Sequence, residues 1–257
     1  MTGNSRDDSQ TAGSATDYSS EPFALRRHDH CPCASGQRFK ACCGKPGADR
    51  PPPFGVMVLH DVMSADACAD LVAVLNDQPR QWLSAGSRNS QSGDIVEQVE
   101  ETRVTQQIYL EPALQQQVNT LLQTLWTDNV ASSVGATIEW FEEPHILHYP
   151  VGGQFTSHAD SEVYDMASGK YHRVADRDLS MLLYLNSDFE GGDLLFDLFH
   201  YRYHPTAGDL VVFPSDHRYT HHARKVTAGE RLAVVSWAKV KGSPQSLESA
   251  PATAIFC

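Results

Sequence analysis

The hydrophobic pattern of the second half of the chain predicts a series of β-strands. From about residue 134, short apolar or alternating runs recur, and Gly, Pro and Asp separate them. Runs of roughly four to eight residues bounded by turn residues are typical of strands. The series predicts a mainly β domain, a sandwich or a closed barrel, without an internal repeat. The runs are "TIEWF", "HILHY", "LSMLLYLN", "DLLFDLF", "DLVVFPS" and "RLAVVSWAKV".

The first half of the chain carries helical patterns instead. After the apolar run "VMVL", Ser64 is a suitable N-cap for a helix. A stronger helical pattern lies in "EPALQQQVNTLLQTLWTDNV", which starts with an acidic residue. Between the two, the polar residues 85–100 predict a loop. The apolar helical positions are Ala67, Leu71, Val74 and Leu75 in the first pattern, and Leu114, Val118, Leu121, Leu122 and Leu125 in the second.

Composition narrows the class of protein. The chain has 257 residues, of which 41% are hydrophobic, an ordinary share for a folded protein. No apolar run approaches the roughly 20 residues of a membrane span. The N-terminus has no apolar signal core, so we predict a cytoplasmic protein without a membrane partner. The net charge is −12, and because acidic surfaces repel phosphate, we expect no nucleic-acid partner.

These features divide the chain into five predicted segments. The N-terminal residues are rich in Ser, Thr, Asp and Gly and are expected to be disordered. A cysteine-rich basic module follows, and a proline-rich linker joins it to the main domain. The segments are a tail at 1–22, the module at 23–47, the linker at 48–53, the main domain at 54–242 with its core at about 140–240, and a C-terminal tail at 243–257.

A candidate metal site emerges from side chains in the β region. In "YPVGGQFTSHADSEV", His158 and Asp160 are two positions apart, so on a strand both side chains point to one face. The alternative to a metal-binding pair is a surface histidine that lies near a solvated aspartate. Several strands later, "YTHHARKVTAGERLAVVSW" offers His221 and His222. Two histidines and one carboxylate on one face of Fe(II) leave three coordination positions open.

Arg231 adds a candidate anion-binding group. Gly229 suits a turn, so the histidine pair and Arg231 are expected on adjacent strands of a hairpin. The planar guanidinium of arginine binds carboxylates through paired hydrogen bonds. A cosubstrate with a carboxylate group could therefore lie between the metal and Arg231.

With these residues, the chain resembles the Fe(II)/2-oxoglutarate dioxygenases of the prolyl 4-hydroxylase superfamily over about residues 54–240. It shares "LSMLLYLN", "FEGGDLLF" and "AGDLVVFPS" with bacterial hydroxylases of this kind. The family pattern H-x4-V-x2-G-x-R/K-x5-W fits only when the histidine is His221. The resemblance therefore implies that His221, and not His222, binds iron. The other matching residues are Val226, Gly229, Arg231 and Trp237.

The resemblance also implies roles for further side chains. Arg231 would bind the distal carboxylate of 2-oxoglutarate, and Tyr184 would hydrogen-bond the same group. For Tyr149 and Trp237, packing inside the barrel is an equal alternative, and the spacing of Tyr149 is one residue shorter than in some relatives. The implied site residues are His158, Asp160 and His221 for Fe(II), and Arg231, Tyr184, Tyr149 and Trp237 for the cosubstrate.

Two other histidines have plainer interpretations. His222 and His217 are expected to be solvated or hydrogen-bonded, although His217 could instead line the substrate entrance.

The fold implied by the resemblance is mainly β with flanking helices, with a double-stranded β-helix, or jelly-roll, core plus a small N-terminal zinc module. The implied reaction is hydroxylation of a substrate C–H bond, with succinate and CO2 as co-products. Because Asp160 is present, hydroxylation is favoured over halogenation. Ascorbate is a further candidate cofactor.

Four crowded cysteines predict the zinc module. In a chain without a signal sequence, such a cluster favours a metal site over disulfides. Four thiolates complete a tetrahedral zinc shell, and so short a segment needs the metal to fold. The segment resembles the SEC-C zinc motif, which implies a small surface for a docking partner. A redox thiol cluster is the alternative, and His28 and His30 are alternative ligands. The spacing is C-x-C-x8-C-C, formed by Cys31, Cys33, Cys42 and Cys43.

Three functions remain open from the sequence. The first is hydroxylation of a prolyl or other side chain of a protein or peptide, because a docking module suits a macromolecular target. The second is hydroxylation of a small molecule, such as a free amino acid or a carrier-bound intermediate, with residues 161–180 as part of a pocket wall. The third, a non-catalytic 2-oxoglutarate-sensing protein, is least favoured because all three iron ligands and Arg231 are present.

Overall fold

A computed structural model describes residues 27–31, 36–42, 50–83, 85–88, 95–98 and 102–257, and the predicted tail at 1–22 lies outside them. The described chain is mainly β, with few helices. The strands are β1 Met57–Leu59, β2 Arg80–Trp82, β3 Ala85–Arg88, β4 Ile95–Gln98, β5 Arg103–Val104, β6 Gln106–Ile108, β7 Ile138–Glu142, β8 His145–Tyr149, β9 Gln154–His158, β10 Glu162–Asp165, β11 Lys170–Arg173, β12 Leu179–Tyr184, β13 Glu190–Gly191, β14 Leu194–Phe196, β15 Tyr201–Tyr203, β16 Leu210–Pro214, β17 His221–Ala223, β18 Val226–Ala228, β19 Arg231–Val240 and β20 Ala254–Phe256. The α-helices are α1 Ala65–Asn76, α2 Pro112–Thr124 and α3 Ala131–Val134.

Two antiparallel sheets face each other and enclose the interior of the main domain. The large sheet has the order β1-β16-β12-β19-β8-β6-β2, and β7 pairs with the far end of β19 and with β20. The small sheet has the order β15-β14-β17-β9-β5. Buried side chains from both sheets form one cluster between them. This architecture is consistent with the predicted jelly roll.

Alternation along the strands gives the large sheet two buried faces. In β12, Met181 and Leu183 belong to the cluster that packs against the helices. Leu182 and Tyr184 belong to the cluster between the two sheets. Successive side chains of a strand point to opposite faces, so one apolar run supplies both cores.

The helices cover the outer face of the large sheet. Ser64 caps α1 as predicted, because its Oγ accepts a hydrogen bond from the amide of Ala67 at 3.2 Å. The stronger helical pattern forms α2 and continues through a π-helical turn at Leu125–Val130 into α3. Its apolar positions are buried against the sheet. No helix in the described residues is long and apolar enough to cross a membrane.

Two predictions about irregular regions are wrong. Residues 85–100 were expected to form a loop, but they contain the hairpin β3–β4; its polar sequence lacks the apolar alternation that reveals a strand. Residues 243–257 were expected to form a tail, but β20 pairs with β7. The backbone amides of Ser246 and Leu247 also donate to the carboxylate of Asp176. These contacts join parts of the chain that are far apart in sequence, so no local pattern predicts them.

The turn predicted at Gly229 is present between β18 and β19, but the predicted hairpin is not: His221 begins β17 in the small sheet, and Arg231 begins β19 in the large sheet. Gly229 has a φ of +69°, and a Cβ atom there would lie 2.4 Å from the carbonyl oxygen of Asp188. Only glycine adopts this conformation and this approach without strain. The turn returns the chain so that Arg231 begins β19 close to the strands that carry the histidines.

Candidate metal centre and cosubstrate pocket

The structure brings His158, Asp160 and His221 together on the inner face of the small sheet. His158 ends β9, His221 begins β17, and the two residues are paired across these strands. The Nε2 atoms of His158 and His221 lie 3.5 Å and 3.8 Å from the carboxylate oxygens of Asp160. Ligand atoms of all three residues lie within 4.8 Å of one another, and in the described chain no other such group of three exists.

Backbone carbonyls orient the two imidazoles. His158 Nδ1 lies 2.8 Å from the carbonyl oxygen of Thr156, and His221 Nδ1 lies 3.1 Å from that of Tyr219. We assign the proton to Nδ1 in both rings, because a carbonyl only accepts hydrogen bonds. Each Nε2 lone pair is then directed at the centre of the group, as is usual for metal-binding histidines.

A buried serine pair holds the carboxylate of Asp160. Ser180 Oγ donates to Asp160 Oδ2 at 2.6 Å and lies 2.8 Å from Ser215 Oγ. The backbone amide of Asp160 donates to the carbonyl oxygen of Ser215. Sequence reasoning missed this pair, although a serine at position 180, inside the apolar run of β12, was a signal that could have indicated it.

The electrostatic environment favours a charged carboxylate on Asp160 and a neutral imidazole on His221. Burial raises the pKa of Asp160, but the neighbouring His221 and His158 and the Ser180 hydroxyl outweigh it and hold that pKa well below its usual range. Burial, followed by the proximity of His158, lowers the pKa of His221 to about 4. Near neutral pH, His221 therefore offers a free lone pair. Two imidazoles and one carboxylate are the donor set that suits non-haem Fe(II).

A cavity of about 450 Å³ opens beside this group. Its walls combine apolar side chains such as Leu147, Leu182 and Leu194 with several cationic and aromatic groups. All four residues predicted to contact the cosubstrate lie at or beside it. Tyr149, Arg231 and Trp237 line the cavity, and the guanidinium of Arg231 lies 5.8 Å from the centre of the Tyr184 ring.

Arg231 is held in place but has unused hydrogen-bonding capacity. It is 1% exposed, its Nη1 donates to the carbonyl oxygen of Gly192 at 2.6 Å, and its guanidinium lies 4.0 Å from the centre of the Tyr149 ring. Burial raises the pKa of Tyr184, so its hydroxyl remains a donor. Arg231 Nε, Tyr184 OH and Trp237 Nε1 are buried and find no hydrogen-bond partner among the described residues.

Buried donors without partners are rare in folded proteins, and each is a reason to look for a missing ligand. Three such donors around one cavity fit a molecule that carries several acceptor oxygens and a negative charge. 2-Oxoglutarate, with two carboxylates and a keto group, has this chemistry.

Further cationic residues of the cavity were missed by the sequence analysis. Arg177 makes a two-pronged contact with Glu142 at 2.6 and 2.7 Å, and its guanidinium lies 3.8 Å from the centre of the Trp237 ring. Arg103 stacks on Phe155 from the edge strand β5, and its buried Nε also has no partner in the described chain. Burial lowers the pKa of Arg103. Nothing local in the sequence marks Arg103, because only the sheet pairing brings β5 to the cavity.

His222 and His217, which were expected to be solvated or hydrogen-bonded, lie outside the cavity. His222 points to the opposite face of the small sheet, where its Nδ1 lies 2.9 Å from the carboxylate of Asp197. His217 lies 2.5 Å from the carboxylate of Glu162 and stacks on Tyr171. Neither residue lines the cavity.

The described part of the cysteine module forms a small knuckle, by which we mean residues 27–31 and 36–42. Cys31 and Phe39 are buried together, Cys42 packs against them, and a short antiparallel bridge joins His30 to Arg38. The Phe39 ring lies 6.2 Å from the ring of His200, so the knuckle touches the main domain. Cys33 and Cys43 lie outside the described residues. Zinc binding by the four cysteines stays a prediction.

Sequence comparisons identify proteins that are similar to this chain. The sequence model of the 2OG-Fe(II) oxygenase superfamily matches residues 144–239. A PKHD-type hydroxylase from Psychrobacter sp. (strain PRwf-1) is 28% identical over 189 residues, 70% of this chain and 67% of that protein. One from Stenotrophomonas maltophilia (strain K279a) is 36% identical over 37% of this chain and 41% of that protein. Prolyl 3-hydroxylase 3 of Homo sapiens is 34% identical over 61% of this chain, but this chain spans 21% of its length.

Solved structures share the fold. The viral collagen prolyl hydroxylase of Paramecium Bursaria Chlorella virus-1, in its 2OG complex, has a TM-score of 0.51 at 15% identity, over 72% of this chain and 95% of that one. An oxidoreductase of the 2OG-Fe(II) oxygenase family from Burkholderia pseudomallei has a TM-score of 0.51 at 19% identity, over 80% and 92%. At such low identities, these likenesses concern the fold alone. The matched family model and the sequence relatives, with the ligand set assembled here, show that this chain is similar to prolyl hydroxylase-like enzymes of the 2OG-Fe(II) oxygenase superfamily.

Proposed function

We propose that the protein hydroxylates a C–H bond in a side chain of a protein or peptide, of prolyl type, with 2-oxoglutarate as cosubstrate and succinate and CO2 as co-products. One observation carries this proposal. The ligand set of His158, Asp160 and His221 shares a single cavity with several buried donors that have no hydrogen-bond partner among the described residues. The same space can therefore hold a metal and an anionic cosubstrate.

Each side chain has a defined task in this proposal. His158, Asp160 and His221 would hold Fe(II), which supplies the redox chemistry that places one oxygen atom of O2 in succinate and the other in the hydroxylated product. Arg231 and Tyr184 would bind the distal carboxylate of 2-oxoglutarate. Because Gly192 and Tyr149 already fix the guanidinium, little ordering is needed when the cosubstrate binds.

The apolar walls of the cavity serve a second task. Leu147, Leu182 and Leu194 line it and would exclude bulk water around the reacting groups. A dry cavity strengthens the charge pairing of Arg231 with a carboxylate and limits side reactions of the activated oxygen.

The hairpin β10–β11 supports a macromolecular substrate. It follows Asp160 directly, and its Val163 lines the cavity while being 51% exposed. Met166, at the turn of the hairpin, is 86% exposed. An exposed apolar surface that continues from a cavity is typical of an interaction site for a larger partner. The names of two relatives, PKHD-type hydroxylase and prolyl 3-hydroxylase, agree with a hydroxylated product and favour a prolyl side chain.

The first test is anaerobic binding of Fe(II) and 2-oxoglutarate, followed by visible charge-transfer absorbance. Wild type, His221→Ala and His222→Ala would be compared. We expect the absorbance band in wild type and His222→Ala, and none in His221→Ala. Folded wild type without a band would overturn the proposed function.

The second test separates the substrate classes. Succinate release would be measured with proline-containing peptides and, in parallel, with free amino acids. Peptide-dependent release supports the proposal. Release that depends only on a free amino acid would instead favour a small-molecule hydroxylase.

Several other features stay predictions. They are zinc in the N-terminal module, a docking partner for that module, ascorbate as a further cofactor, a cytoplasmic location and the lack of nucleic-acid and membrane partners. Metal content of the purified chain, compared with that of Cys31→Ser, tests the zinc site.

A further inference from the structure

Behind the iron ligands, on the outer face of the small sheet, three polar side chains form a connected cluster. Asp197 follows β14 directly. One of its carboxylate oxygens accepts a hydrogen bond from Ser157 Oγ at 2.5 Å, and the other lies 2.9 Å from His222 Nδ1. Ser157 belongs to β9 and His222 to β17. A single carboxylate therefore joins the two strands that carry the iron histidines.

Each partner of Asp197 is the sequence neighbour of a predicted iron ligand. Ser157 precedes His158, and His222 follows His221. Because side chains alternate along a strand, the ligands point into the cavity and the cluster points away from it. The pairing of β9 with β17 becomes irregular between His221 and Ala223. Backbone hydrogen bonds constrain the strands less at such an irregularity. The relative position of β9 and β17 therefore depends more on side-chain contacts between them.

The turn that carries Asp197 makes two more contacts with the same region. The backbone amide of Asp197 donates to the carbonyl oxygen of Thr220 at 3.0 Å. Phe199, in the same turn, is buried and packs against the ring of Tyr219 at 5.5 Å. The carbonyl of Tyr219 is the group that orients His221. The turn thus contacts both residues that precede His221.

We propose that Asp197 is a positioning residue for the iron centre. By bonding Ser157 and His222 at the same time, it fixes how β9 and β17 lie against each other, and with them the separation of His158 Nε2 and His221 Nε2. Metal–ligand distances tolerate deviations of only about 0.2 Å, so ligands from two strands require such a fixed separation. This inference rests on the proposed iron site, and it gives His222 a role without direct metal contact.

The cluster is accessible enough to be altered without destroying the core. The side chains of Asp197 and His222 are 31% and 26% exposed. His60 offers a matched control, because its Nδ1 makes a similar contact, at 2.8 Å, with the carboxylate of Asp209 away from the ligands. His60→Ala therefore removes an imidazole–carboxylate contact of the same kind.

The experiment is an anaerobic titration of the full-length protein with Co(II), followed by its visible absorbance. Wild type would be compared with Asp197→Ala, Asp197→Asn, His222→Ala, the control His60→Ala and the ligand variant His221→Ala. We expect the Co(II) dissociation constant to rise about tenfold in Asp197→Ala and His222→Ala, as for groups that orient metal ligands. Asp197→Asn should be intermediate, because its amide retains one acceptor oxygen. His60→Ala should bind Co(II) like wild type.

Thermal unfolding of the metal-free proteins separates positioning from stability. We expect the unfolding temperatures of Asp197→Ala and His222→Ala to lie within a few degrees of that of His60→Ala, although both variants bind Co(II) more weakly. Dissociation constants of Asp197→Ala and His222→Ala within about twofold of His60→Ala would overturn the proposal, since a group that orients ligands changes affinity by more than this. If Asp197→Ala does not fold, the Co(II) dissociation constant of His222→Ala alone tests the proposal. Wild type that binds no better than His221→Ala would overturn the iron site itself.

Discussion

The two faces of the large sheet differ in what they bury, although the same strands build both. On the face toward the helices, β12 and β19 contribute Met181 and Val234, which are fully buried among aliphatic neighbours. On the face toward the cavity, the alternating positions of the same strands include Ser180, Arg231 and Trp237. One face is an ordinary core, and the other is a wall of the proposed active site.

The polar groups on the two faces also differ. On the helix face, Ser236 Oγ donates to the carbonyl oxygen of Glu142 and accepts from Trp126 Nε1. On the cavity face, Arg231 Nε and Tyr184 OH are buried without partners in the described chain. A buried polar group left unpaired costs about 1–3 kcal/mol. Because side chains alternate along a strand, one face of the large sheet stabilises the fold while the other retains hydrogen-bond donors for a ligand.

The largest expected effect is on the helix face. Leu122 is fully buried there, and Leu122→Ala should lower the free energy of unfolding by about 3 kcal/mol, because truncation leaves a cavity. Denaturant titration of the metal-free protein measures this loss. The affinity for Co(II) should stay at the wild-type value, and a weaker affinity would show that the two faces are coupled.

Arg231→Met tests the cavity face. Charged hydrogen bonds contribute about 1.5–3 kcal/mol each, so 2-oxoglutarate should bind about 100-fold more weakly. The free energy of unfolding should not fall, because the substitution removes a buried cation and retains the apolar volume. Calorimetric titration of Mn(II)-loaded protein with 2-oxoglutarate measures the affinity. Unchanged 2-oxoglutarate affinity would remove Arg231 from the proposed site.

Two buried serines lie on opposite faces of the large sheet. Ser180→Ala removes the hydrogen bond to Asp160 and should weaken Co(II) binding about tenfold. Ser236→Ala, on the neighbouring strand, should reduce stability but leave Co(II) binding unchanged. Equal effects of the two substitutions on Co(II) affinity would contradict a specific role for Ser180.

A pH dependence of stability tests the neutral, buried form of His221 on the cavity face. The folded protein lowers the pKa of His221 to about 4, against about 6.5 in an unfolded chain. Between these values the unfolded chain binds more protons, so the free energy of unfolding of the metal-free protein should fall as the pH decreases from about 6.5 to about 4. His221→Gln should make this decrease shallower in denaturant titrations. Identical slopes would show that His221 is not buried in neutral form. Asp160, with its lowered pKa, affects stability only at more acidic pH.

Much of the fold could be predicted because its elements have local causes. The periodicity of Leu114, Val118 and Leu122 predicts α2, and the Ser64 cap predicts the start of α1. The spacing of His158 and Asp160 predicted that the two side chains lie together, although Asp160 follows the end of β9. The register of the resemblance distinguished His221 from His222. The hairpin β3–β4 and the pairing of β20 with β7 were not predicted, because their short or polar segments carry no pattern of their own.

The sequence alone specifies which residue types lie at which spacing: the ligand pair two positions apart, the second histidine with its arginine, and the apolar periods of the two cores. These are consequences of local geometry, since a strand alternates its side chains whatever surrounds it. The contact of Ser180 with Asp160, the approach of Arg103 and Arg177 to the cavity, and the link from Asp197 to both histidine strands depend on the tertiary structure. Those contacts join residues far apart in the chain, and pairing of the sheets, rather than any local preference, brings them together.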